Sequence, residues 1–84
     1  MKRGLRLEAE YLIGAALVGH DAILRLTPPD PAASYNGQRV MVAEFQRRNI
    51  NEYKVLFYEA GVLTNKYLWF PITELDFHAA LEAS

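Results

Sequence analysis

The chain has no cysteine, so neither a disulfide nor a thiolate metal site can hold it together. It has no apolar run long enough to span a bilayer: the longest, residues 11–19, falls well short of the ~20 residues a spanning helix needs. It has almost no net charge. Nine Lys and Arg stand against ten Asp and Glu, for a formal charge of −1 at pH 7, which excludes a nucleic-acid binder working through a chain-wide basic surface. Its two histidines, His20 and His78, lie too far apart to form a metal motif. Internal repeats, linkers and low-complexity tracts are missing as well. These absences predict no cofactor, no metal and no membrane insertion, and they do not favour an enzyme.

A basic start followed by YLIGAALVG imitates a secretion signal, but Glu8 and Glu10 sit where such a signal is free of acids. The segment is expected to belong to the fold, and the protein to be cytoplasmic.

What is present is apolar density: 51% hydrophobic residues, with one Trp, five Tyr and four Phe. The 84 residues read as one domain, 1–84. A chain of this length buries only roughly 60–65% of its unfolded surface, so association with another chain is an expected source of stability. Charge is uneven. Lys2, Arg3 and Arg6 load the start, Glu74, Asp76 and Glu82 load the end, and no basic residue follows Lys66. Termini lying near each other account for this more simply than head-to-tail attraction between copies.

Residues 4–13 alternate, with Leu5, Leu7, Ala9, Tyr11 and Ile13 on one side, which favours a strand. A helix competes: Leu7, Tyr11, Ala15 and Val18 follow helical spacing, and Gly19 suits a C-terminal cap. Residues 22–26 read as a short strand after a His20-Asp21 turn. Pro28, Pro29 and Pro31 make residues 27–36 a stiff loop, and Asn36-Gly37 signals a tight turn. Three β-rich runs follow: 38–45 (QRVMVAEF), 52–60 (EYKVLFYEA) and 66–72 (KYLWFPI). A polar turn at 47–51 joins the first two. Gly61 and Thr64-Asn65 bracket a longer connection before the third, and Pro71 suits a strand end or an edge. Thr73 to Asp76 resembles a capping box, predicting a helical turn or a short helix to Glu82.

Both faces of these runs are apolar. Val40 and Val42 oppose Met41, Ala43 and Phe45. Tyr53, Val55 and Phe57 oppose Leu56 and Tyr58, and Tyr67 and Trp69 oppose Leu68, Phe70 and Ile72. A solvated antiparallel sheet alternates apolar with polar. This one is expected to be covered on both sides, one by its own core and the other by its termini or by a partner.

The block YNGQRVMVAEF, EYKVLFYEAG, KYLWFPITELDF resembles the SH3-like small barrels. Tudor-type domains look similar across YKVLF and WFPITEL, and the small barrel protein of photosystem I in its strand spacing. The plasmid-borne type II dihydrofolate reductases look similar in layout: their aromatic-x-Gly-Gln strand start compares with Tyr35-Asn36-Gly37-Gln38, and their Tyr-Pro-x-x-x-Leu-Glu ending with Phe70 to Asp76. The resemblance covers about half of the chain and implies an all-β barrel of about five antiparallel strands with a short C-terminal helical turn or helix. It does not carry the reductase activity. That family lines a shared pore with Val-Gln-Ile-Tyr, whereas this chain has Tyr67-Leu68-Trp69-Phe70, with Leu68 in place of the Gln.

The chemistry-bearing residues have plain readings. His20-Asp21 lacks a nucleophile beside it and reads as a solvated turn. Glu44, Glu52 and Glu59 are scattered along strands. Arg47, Arg48 and Lys54 form the one basic cluster of the meander. With Tyr53 and Tyr58 nearby they offer a nucleic-acid site, but three charges make a small footprint, and protection of a hairpin tip explains them better. Tyr35, Tyr53, Tyr58, Tyr67, Trp69 and Phe70 are the candidate partner-binding residues. The Tudor-type resemblance implies a cation cage, for which Glu59 is the nearest acidic wall. The sequence thus favours a small non-catalytic interaction module that self-associates or binds a protein partner, with Tyr67, Trp69 and Phe70 as anchors. A ligand-binding or enzymatic homo-oligomer with an inter-subunit pocket is the alternative.

Overall fold

The computed structural model describes residues 14–47 and 51–83. Among them, β1 (Asp21–Leu24), β2 (Arg39–Arg47), β3 (Asn51–Glu59), β4 (Val62–Pro71) and β5 (Leu75–Asp76) form one antiparallel sheet in the order β4-β3-β2-β1-β5. A short helix, α1 (Phe77–Glu82), follows, and 3-10 turns occupy Ala33–Tyr35 and Ile72–Glu74. The chain is therefore mainly β, with five antiparallel strands and a short C-terminal helix, the class its sequence predicts. No helix of the described residues is long and apolar enough to cross a membrane.

The alternation along β3 organises the core. Tyr53, Val55 and Phe57 point inward and are buried, while their neighbours Lys54, Leu56 and Tyr58 stay partly open. Val40 and Val42 from β2, Ala22 and Leu24 from β1, Phe70 from β4 and Leu75 from β5 join the same cluster. One curled sheet thus supplies residues from all five strands to a single core.

Two features of the strand ladders depart from the sequence reading. The register between β2 and β3 shifts between Val42 and Glu44, so Phe45 lies opposite Tyr53 and packs on the core instead of sharing a face with Met41. An extra residue flips the phase of every side chain beyond it. The second departure is the β3–β4 connection, which is short. Glu59 pairs with Val62, and the turn is Ala60-Gly61 with φ of 51° and 79°. Two positive φ values match the twist of a two-residue hairpin. Thr64 and Asn65 therefore lie inside β4, where the ladder shifts between Leu56 and Tyr58 and the Thr64 hydroxyl donates to the Phe57 carbonyl at 2.8 Å.

At Asn36-Gly37 only the glycine takes a positive φ, 83°, and the Gln38 N–H closes the turn on the Tyr35 carbonyl at 3.1 Å. The Asn36 side chain accepts from the Leu26 N–H at 2.9 Å, fastening the proline-rich loop to the end of β1. The capping residue of α1 is Asp76 rather than Thr73: its carboxylate accepts from the Ala79 N–H at 2.8 Å. That bond, and then Arg25 at 3.3 Å, hold the Asp76 carboxyl below its ordinary range against the opposing pull of burial.

The strand expected over residues 4–13 lies outside the described residues. Residues 14–16 are helical, and the turn after them ends at Gly19 with φ 95°. Gly14 is buried against an aromatic pair: a Cβ there would stand 2.5 Å from the Phe45 ring, and its carbonyl accepts from the Tyr53 hydroxyl at 3.2 Å. Phe45 and Tyr53 stack with centroids 4.9 Å apart, which restrains the ring from yielding.

Gly14→Ala is accordingly expected to destabilise. Overpacking costs about 1–3 kcal/mol, and the ~1 kcal/mol that Ala contributes to a helical position offsets only part of it. Urea unfolding of Gly14→Ala, alone and with Phe45→Leu, checks this, with most of the loss expected to disappear in the double variant. A second expectation concerns Glu74, whose carboxyl is pushed above its ordinary range by burial first and then by its hydrogen bond with Asp30 and that group's charge. A raised folded value means that its contribution to stability is complete below the unfolded value and is lost as pH rises through the folded one. Glu74→Gln is expected to raise Tm by a few degrees at pH 7 and to change it little below about pH 4, as thermal melts across pH will show.

Candidate functional site

The outer face of the meander is the candidate site. Register builds it in rows. Asp21, Met41, Leu56 and Tyr67 lie opposite one another across β1, β2, β3 and β4, and Glu44, Lys54 and Trp69 form the next row. Met41, Leu56 and Trp69 are half-buried and Tyr67 is 53% exposed. Leu63, at 40% exposure and opposite Tyr58, continues the apolar surface toward the hairpin tip. Among the described residues, the strand carrying Tyr67 and Trp69 is an edge of the sheet, and one side of its backbone has no ladder partner there. Pro71 at its end is compatible with that position because an edge strand needs no donor there.

Lys54 stands in the middle of this face. Its ammonium lies 3.3 Å from the Glu44 carboxylate and 4.4 Å from the centre of the Tyr67 ring. A cation held by a carboxylate and an aromatic face orients that ring and spends its own charge locally. The basic cluster read from sequence is Arg47, Arg48 and Lys54. Lys54 faces Glu44, Arg47 ends β2 opposite Asn51, and Arg48 lies outside the described residues.

The six candidate aromatics divide between three places. Tyr67, Trp69 and Tyr58 belong to the outer face. Tyr53 and Phe70 are core residues, 0% and 4% exposed, so neither presents a ring to a partner; both lie on the inward phase of their strands. Tyr35 is half-buried on the loop, its ring 4.9 Å from that of Phe57 with the Lys66 ammonium 4.6 Å above it. They do not converge into one cage, and Glu59 is exposed at the far end of β3.

At the β1 end of the face, charge is organised around Asp21. One carboxylate oxygen accepts from the Tyr58 hydroxyl at 2.8 Å and the other from Arg39 Nη1 at 2.6 Å, while Arg39 Nη2 donates to the Ala80 carbonyl at 2.8 Å. Three strands and α1 are tied together through one carboxylate. Sequence adjacency put His20 beside Asp21, but alternation turns Asp21 toward Arg39 and Tyr58, and His20 is exposed. The signal for this network was a carboxylate and an Arg on strands destined to pair, legible only once the register Asp21 to Met41 is known. Among the described residues, no group of His, Asp and Glu is arranged to hold a metal ion.

No protein-family model, no curated protein and no solved structure matches this chain.

Tyr58 is held above its ordinary value near 10, by burial first and then by its bond to Asp21 and that group's charge, with Arg39 acting in the opposite direction. Its contribution to stability is thus present below the unfolded value and lost as pH rises through the folded one. Tyr58→Phe is expected to cost about 0.5–1.5 kcal/mol at pH 7, and the difference from the parent is expected to shrink under alkaline conditions. Chemical denaturation across that range, with Asp21→Asn as the partner variant in a double-mutant cycle, measures both effects.

Proposed function

We propose that the chain is a small non-catalytic interaction module of the SH3-like barrel kind that joins a second copy of itself or a protein partner across its outer face. The single observation that carries this reading is the Met41–Leu56–Tyr67 row with Trp69 beside it, on a sheet whose edge strand is that of the two aromatics. The strand order, with a 3-10 turn between β4 and β5, supports the small-barrel assignment.

Tyr67 and Trp69 are the anchors. Each offers a large amphipathic ring at low entropic cost, and covering one such side chain contributes roughly 1.5–3 kcal/mol. Phe70 supports them from below by filling the core under β4. The Lys54–Glu44 pair gives the face a polar centre that sets register more than affinity. Binding to nucleic acid is not favoured, because Lys54 is already engaged by Glu44 and Tyr67.

Sedimentation equilibrium at micromolar concentration tests the reading. The parent chain is expected to self-associate, and Trp69→Ala to weaken association by about thirtyfold, equivalent to about 2 kcal/mol. Tyr67→Glu, at an already exposed position, is expected to give a folded monomer. A parent that stays monomeric at every concentration, and that retains no protein from its own host in a pull-down sensitive to Tyr67→Glu, would refute it.

A further inference from the structure

A cavity of about 490 Å³ lies at the β1 end of the sheet, between the turn before β1 and the helix α1. Leu17, Phe77, Ala80 and Leu81 supply apolar wall, and His20, Asp21 and Arg39 supply the polar end. Its size falls within the usual range for small-molecule sites, roughly 300–1,000 Å³.

The polar end carries a guanidinium with N–H groups to spare. Each Asp21 oxygen already accepts one hydrogen bond, from Tyr58 and from Arg39, which balances much of its charge. Three rim carbonyls each accept one bond as well: that of Leu17 from the His20 N–H, that of His20 from the Val42 N–H, and that of Ala80 from Arg39. The donors are not exhausted. A guanidinium carries five N–H groups, of which the Asp21 and Ala80 bonds use one each. The exposed His20 adds a ring N–H. Asp21 and the Ala80 carbonyl also fix the guanidinium in place, so a ligand does not have to order it.

We propose that this cavity binds a small carboxylate with a compact apolar body, its oxygens received by the remaining Arg39 N–H groups and by His20, its body lying against Leu17, Phe77 and Leu81. A planar guanidinium matches a carboxylate geometrically, and a neutral amide of the same shape offers one acceptor oxygen instead of two. The neighbouring Asp21 charge weakens the attraction, so the binding expected is of millimolar order.

The test is a titration of the ¹⁵N-labelled chain followed by amide chemical shifts, at constant ionic strength, with benzoate, benzamide and benzylamine as probes. Benzoate is expected to shift residues 17–21, 39 and 77–81 saturably, and the other two to leave them in place. N-acetyl-leucine and hexanoate then separate a peptide C-terminus from a free aliphatic acid as the source of the carboxylate. Because Arg39→Gln removes a structural bond, His20→Glu serves as the variant at an exposed position; it is expected to weaken benzoate binding roughly tenfold with the rest of the spectrum unchanged. Equal shifts from benzamide, shifts scattered away from the cavity, or full benzoate binding by His20→Glu would each overturn the proposal.

Discussion

The structure depends on β3 having a partner on each side and apolar residues on each face. Its inward row of Tyr53, Val55 and Phe57 is buried beneath the other strands. Its outward residues Lys54, Leu56 and Tyr58 lie under less cover. Because pairing to β2 and β4 is in register over most of the strand, any side chain of β3 commits a neighbour on each side to the same face. Core and candidate surface are thus two consequences of one alternation.

Polar groups complete what apolar burial leaves loose. Asp21 links β1 to β2 through Arg39 and to β3 through Tyr58, and Arg39 reaches on to α1. Asp76 closes the other end of the short β1–β5 ladder by capping that same helix and pairing with Arg25. In a chain without disulfides, these side-chain bonds join elements that short ladders hold weakly.

Much of the fold was legible because period-two patterns, Gly37 and Pro71 act locally. Alternation puts Tyr53, Val55 and Phe57 on one face and Tyr67 with Trp69 on one face, but with both faces apolar it does not tell which of them is inward. Phe45 was misplaced because the shift between Val42 and Glu44 changes the phase, and nothing in QRVMVAEF marks where an extra residue sits. The β3–β4 turn was misplaced because Ala60 adopts a positive φ, an unusual conformation for a residue with a Cβ, while Thr64-Asn65 looked like loop composition. The candidate site was half legible. Its aromatics were visible, but which of them are core depends on register, and the Asp21–Arg39–Tyr58 network joins residues brought together only by strand pairing.

The two borders of the sheet are unequal: Val62–Pro71 forms one, the two residues of Leu75–Asp76 the other. Among the described residues, strand addition has only one extended border to use. Two copies merged along it would bury that border in both, leaving only stubs at the ends of the combined sheet. Propagation into a fibre, which requires a fresh template at every step, would then stop at the pair.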